Sequence, residues 1–201
     1  MTSSSVLDQL LAARNRLHKD RAGSLALFDT LFAQGATPPP PLDGRYAGVF
    51  LGATVFAPLD WYIRVVVQPR MPWMGKVFYA ATNTGENVFS KGAQPWFRLT
   101  WPLYRGYISD TPKTFRVFRF RTLVGPGVLD PQCHVLKIDY DLPENPRWSI
   151  RRVLDELVQV DEGVYLGKAH YRRFRGGYRT AAYFAMLAGD KPTTASVKPS
   201  R

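Results

Sequence analysis

The 201-residue chain has a single cysteine, Cys133. One thiol builds no disulfide framework, so stability must come from a hydrophobic core, and the chain reads as cytoplasmic. No stretch approaches the ~18 consecutive apolar residues that a membrane-spanning helix needs. The start, MTSSSVLDQLLAARNRLHKD, lacks a basic leader and a long apolar run, so no signal peptide is expected there. The histidines His18, His134 and His170 are scattered, with no H-x-x-x-H or C-x-x-C spacing, and no metal is expected. Neither G-x-S-x-G nor a Walker or Rossmann glycine pattern occurs. That argues against a nucleophile-elbow hydrolase and a nucleotide-dependent enzyme, and no cofactor is expected.

What the chain does have is aromatic and basic. Aromatics make up 13% of residues, a content that favours strands and wide apolar sites. Net charge is +11, so anions are the natural partners: nucleic acid, acidic lipid, or a carboxylate or phosphate ligand. The charges are dispersed. The densest cluster is Tyr171-Arg172-Arg173-Phe174-Arg175, with Arg179 nearby.

Two segments repeat apolar residues at helical spacing. Val6, Leu7, Leu10, Leu11 and Leu17 mark a helix over 4–19, capped by Ser4 or Ser5. Leu25, Leu27, Phe28, Leu31 and Phe32 mark a second over 23–34, stopped by Gly35. Residues 1–36 are expected to pack as a helical segment on the body of the domain. The prolines of ATPPPP then form a stiff linker.

Beyond it, short β-branched and aromatic runs alternate with Gly, Pro, Asn and Asp. Candidate strands are 45–52, 61–68, 75–82, 86–90, 95–101, 103–108, 114–123, 132–141, 150–160, 163–172 and 178–187. Hairpin spacing of this kind predicts a mainly β domain over 42–188, an antiparallel barrel of about 8–10 strands. Closure removes open edges and leaves room for a small ligand. Residues 189–201 read as a disordered tail.

The stretch LDGRYAGVFLG opens the first strand with Gly44 and Gly48 flanking Tyr46. Glycines there allow close backbone approach where a strand bends, with Tyr46 plugging one end of the barrel. This G-x-aromatic-x-G pattern resembles the opening G-x-W-x-G of lipocalin-like barrel proteins, with Tyr in place of Trp. Trp73-Met74-Gly75-Lys76-Val77-Phe78 followed by Asn87 is similar to the W-x-G-K-x-F segment of small bacterial barrels named for that motif. Asp155-Glu156-Leu157 leading to Gly163-Val164-Tyr165-Leu166-Gly167 resembles their closing hairpin. The resemblance implies an apolar ligand cavity and no particular reaction, because such barrels host transport, storage and catalysis alike.

Strand alternation nominates site residues. In CHVLKIDYDL, His134, Leu136, Ile138 and Tyr140 share the more apolar, inward face, so His134 and Tyr140 form a candidate proton-transfer or ligand-bonding pair. In VLDELVQV, Glu156 stands among Leu154, Val158 and Val160. A buried carboxylate there is either paired, with Arg116 or Lys76 as candidates, or tuned for acid–base work. Arg64, Arg98, Arg116, Arg119 and Arg121 each share a strand face with apolar residues, and an inward arginine would grip a carboxylate bidentately. The candidate ligand-binding set is Tyr46, Lys76, Arg98, Trp101, Arg116, Phe118 and Tyr165; the candidate catalytic set is Glu156, His134 and Tyr140.

Three functions follow. The leading one is binding of a hydrophobic, optionally anionic, small molecule of lipid, polyketide or terpenoid type. The second is a cofactor-free isomerase or cyclase that moves protons on such a molecule. The third, single-stranded nucleic-acid binding through 171–175, is disfavoured because no RNA-binding signature accompanies the charge.

Overall fold

The computed structural model describes residues 5–39, 41–54 and 72–189. Two helices come first, α1 (Val6–Arg16) and α2 (Arg21–Gln34). Ser5 caps α1 by accepting from the Asp8 amide, and Asp20 caps α2 by accepting from that of Gly23. Ser24 Oγ donates to the Ala13 carbonyl at 2.9 Å and fastens one helix to the other.

The strands are β1 (Gly44–Ala53), β2 (Trp73–Tyr79), β3 (Thr84–Ser90), β4 (Ile108–Ser109), β5 (Thr114–Pro126), β6 (His134–Asp139), β7 (Val153–Asp161), β8 (Val164–Arg172) and β9 (Tyr178–Ala188). They run antiparallel in the order β3-β2-β1-β9-β8-β7-β6-β5, and β3 pairs back onto β5. Eight strands therefore close a barrel. The short β4 adds to β5 outside it.

Alternation splits the apolar residues into two cores. One fills the lumen, with Tyr46, Phe78, Phe120, Leu136, Ile138, Leu157, Tyr165, Phe184 and Met186 among its members. The other lies outside the wall, where Leu10, Ala13, Phe28 and Phe32 of the helices cover Leu51, Val135, Val158, Leu166, Tyr183 and Ala185. Polar ties fix the helices there: Lys168 pairs with Asp29 at 2.6 Å, and the Tyr183 hydroxyl donates to Asp29 at 2.7 Å. Several strands are consequently buried on both faces.

Tyr46 occupies one end of the lumen, edge-on to Phe78 and Tyr165. Burial and the neighbouring Tyr165 push its hydroxyl pKa up to about 12. The glycines around it do different jobs. A β-carbon at Gly48 would lie 2.5 Å from the Trp73 ring, so its bareness seats that ring against the strand. Gly75 has φ +127, and a β-carbon would sit 2.0 Å from the Tyr46 carbonyl oxygen. Gly44 has φ +82 but open space around it.

Two candidate strands take other forms. Residues 95–101 belong to a helix, α3 (Gln94–Thr100), which starts with Pro95 in its first turn. Ala93, Phe97 and Trp101 recur every four residues and point into the lumen core. Of 103–108, only Ile108 is in a strand. Residues 150–152 form a 3-10 turn before β7. The candidates 61–68 and 189–201 fall largely outside the described residues.

The glycines make a graded prediction. Gly75→Ala combines positive φ with a backbone clash and should cost more than ~3 kcal/mol, whereas Gly44→Ala carries only the conformational penalty of about 1 kcal/mol. Urea unfolding of both variants checks the order; equal losses would refute the steric reading.

Candidate functional site

A polar cluster crosses the apolar lumen. Lys76 on β2 is buried, and its Nζ lies 2.8 Å from Asp155 Oδ2 on β7 and 2.9 Å from Asn87 Oδ1 on β3. It also donates to the Tyr140 hydroxyl, just beyond β6. That hydroxyl donates to Asp155 at 3.1 Å and accepts from Asn87 Nδ2 at 2.9 Å. Trp73 Nε1 adds a bond to Asn87 Oδ1 at 3.2 Å. The rings of Trp73, Phe120, Tyr140 and Phe184 lie 5.1–5.5 Å from the ammonium nitrogen.

Burial lowers the Lys76 pKa, and the Asp155 carboxylate opposes the fall. Burial, reinforced by Asp155, raises the Tyr140 hydroxyl well above the usual phenol range, so it stays a neutral donor. Each member satisfies the others. A buried ion pair survives in an apolar lumen only when its remaining hydrogen bonds are made in this way.

Above this cluster lies a cavity of about 270 Å³, lined by Asn87, Phe89, Phe97, Trp101, Phe118, Tyr140, Ile150 and Val153. Its polar floor is Asn87 and Tyr140; its walls are apolar. Phe118 reaches the cavity through a β-bulge. On β3, Glu86 pairs with Arg119 and Asn87 with Val117, which leaves Phe118 as the extra residue, at φ +55. Its freed amide finds the Tyr104 hydroxyl at 3.1 Å. Val117 and Phe118 thus both join the lumen core. A second, more open groove of about 500 Å³ shares Trp101 and runs past Leu103, Tyr104, Asn145, Pro146 and Trp148. Trp101 Nε1 donates to Ser149 Oγ at 2.9 Å, which fixes the indole between the two spaces.

The structure sorts the sequence candidates. Tyr140, Trp101 and Phe118 line the cavity, and Lys76 braces its floor. Tyr46 and Tyr165 lie against each other at the Phe78 end of the lumen. His134 is not interior: it begins β6 and is exposed. Glu156 is buried but on the outer side of the wall, where it meets His170 Nε2 at 3.1 Å and accepts from the Val128 amide at 2.7 Å. Neither Arg116 nor Lys76 is its partner. The three candidate catalytic groups are therefore not brought together. Arg116 faces outward, paired with Glu86 at 2.8 Å. Arg98 lies exposed on α3, against Tyr107. Arg119 and Arg121 are exposed as well, and Arg64 lies outside the described residues. No arginine among the described residues lines the cavity.

Sequence reasoning missed Asp155 and Asn87. Asp155 shares a strand face with Val153 and Leu157, a lone carboxylate among apolars, as Glu156 does on the other face. Among the described residues, no three His, Cys, Asp or Glu side chains gather to hold a metal ion, and no helix is long and apolar enough to cross a membrane.

No protein-family model matches the chain, and no curated protein matches it. A solved structure, that of a protein from Thermomonospora curvata, is similar at a TM-score of 0.50 and 14% identity, covering 89% of this chain and 99% of that one. The likeness is one of fold. The chain is a closed, lipocalin-like eight-stranded barrel with one outer strand and two N-terminal helices.

The cluster predicts a pH signature. Asp155→Asn removes the charge that holds Lys76 protonated, so the Lys76 pKa falls further. Between that lowered pKa and the ordinary value of 10.5, the unfolded chain binds the extra proton, so stability rises with pH. The variant should lose about 3 kcal/mol near pH ~7 and recover part of it near pH ~9.5. Urea midpoints at the two pH values test this; a loss independent of pH would count against a charged Lys76–Asp155 pair.

Proposed function

We infer that the barrel binds a small hydrophobic molecule in the cavity beneath α3. The observation that carries this reading is the 270 Å³ space walled by Phe89, Phe97, Trp101, Phe118, Ile150 and Val153 over a self-satisfied polar floor. Ligand sites have this composition: mostly apolar walls with a few fixed polar groups, from ~300 Å³ upward. The size fits a compact molecule, with the neighbouring groove open to a longer one that passes Trp101.

The floor favours a neutral ligand over an anionic one. Its one cation, Lys76, already has Asp155 as counter-ion. It also favours binding over acid–base catalysis. The Tyr140 proton is engaged by Asp155, and the Asn87 amide by Tyr140 and the Phe118 carbonyl. Proton transfer to a ligand would require this network to rearrange. The pairing of the Gly44–Gly48 stretch with the Trp73–Phe78 segment in adjacent strands supports kinship with the G-x-W-x-G barrels.

Native mass spectrometry of protein purified from its own host, followed by organic extraction, tests the reading. A retained apolar molecule is the expected result, and Trp101 fluorescence should report its rebinding. Ile150→Trp at the rim should fill the cavity and weaken binding at least ~10-fold, with a stability change under ~1.5 kcal/mol. An empty protein that takes up nothing from a panel of fatty acids and neutral aromatics would overturn the proposal.

A further inference from the structure

The barrel end that carries the cavity also carries an unusual surface. Leu103 is 91% exposed, Phe174 77% and Trp148 71%. These three are close in space. Leu103 and Trp148 line the same groove. The Tyr171 hydroxyl donates to the Trp148 carbonyl at 3.3 Å, and the Arg152 guanidinium lies over both Tyr171 and Phe174, 5.2 and 3.8 Å from the ring centres. Large apolar side chains at such exposure, gathered on one face, mark an interaction surface.

Arginines surround them. Arg147 stacks on Trp148 at 5.3 Å, and Arg173 and Arg175 flank Phe174 at the tip of the β8–β9 hairpin, all three exposed. Asp141, the acid on this face, is engaged by Arg151 at 2.7 Å and Arg172 at 3.4 Å. Asp139 beside it is paired with Arg121 at 2.7 Å, and Glu144 lies in the groove. The balance is cationic, in keeping with the net charge of +11.

We propose that this face docks on an anionic lipid surface, with Leu103, Trp148 and Phe174 entering the headgroup region and Arg147, Arg173 and Arg175 pairing with lipid phosphates. Aliphatic and indole side chains interleaved with arginine suit the boundary between headgroups and acyl chains. A nucleic-acid surface would use the arginines and stack the rings but would leave Leu103 in water. Docking sets the groove beside Trp101 against the bilayer. It does not depend on what the cavity holds, so an empty cavity leaves the proposal standing.

Sedimentation of the full chain with vesicles tests it. The protein should pellet with phosphatidylcholine vesicles containing about 30% phosphatidylglycerol and stay in the supernatant with phosphatidylcholine alone, where charge attraction is absent. Arg173→Glu/Arg175→Glu should weaken partitioning at least ~10-fold. Leu103→Asp and Trp148→Ser, at sites exposed enough to leave the fold intact, should each weaken it too, with unchanged circular dichroism. Bromine-labelled acyl chains should quench Trp fluorescence in the parent protein and less in Trp148→Phe. Failure to pellet with anionic vesicles, binding insensitive to Leu103→Asp and Trp148→Ser, or tighter binding to a single-stranded oligonucleotide than to vesicles would each overturn the proposal.

Discussion

The lumen is organised around one buried ion pair. Lys76 and Asp155 stand on opposite parts of the wall, β2 and β7, and meet inside an otherwise aromatic space. Neither charge could remain there alone, so each dictates the placement of the other. Asn87 and Tyr140 complete the pair and bring β3 and the end of β6 to the same point. Four separate stretches of chain thus converge on a few hydrogen bonds. The apolar layers on either side, Tyr46 with Phe78 and Tyr165 toward one end, Phe97 with Trp101 and Phe118 toward the other, pack around that fixed centre.

The two ends differ because the chain treats them differently. At one, three aromatic rings fill the lumen. At the other, β6 stops short of β5's first residues, and β4, α3 and the turn at 150–152 occupy the space instead. Irregular backbone collects here, and so do the cavity, the bulge and the exposed arginines. A rigid barrel that presents its irregular elements at one rim is a common way to carry a site.

Much of this was legible in the sequence, and the misreadings share a cause. Alternation located most of the strands, and it put Leu136, Ile138 and Tyr140 on the inner face. It failed on β7, where Leu154, Val158 and Val160 formed the more aliphatic set. Leu154 and Val158 of that set are buried on the outer face and Val160 is half-buried there, while Val153, Asp155 and Leu157 face the lumen. A strand buried on both sides carries no polar face to orient the reader. His134 kept the right parity but lies at the start of its strand, where the wall no longer encloses it. The stretch 94–100 satisfied both periods at once, since Trp96, Arg98 and Thr100 alternate while Ala93, Phe97 and Trp101 recur every fourth residue. Pro95 was the signal for a helix. Asp155 was legible only through Lys76, a lysine in a strand of Val, Phe and Trp that had to find a carboxylate.

The bulge at Phe118 adds a ring to the cavity without disturbing the rest of the wall. Glu86 already pairs with Arg119 and Asn87 with Val117, so the residues on either side keep their partners and their facing with or without the residue between them. In a strand one residue shorter, Phe115, Val117 and Phe120 would stay inside and Arg116 outside. A one-codon deletion would therefore take one aromatic ring out of the cavity lining and leave the Tyr104 hydroxyl without the Phe118 amide, while the ladder became regular. In evolutionary terms, the size of this space can change by a whole side chain through a single length change, with the barrel around it intact.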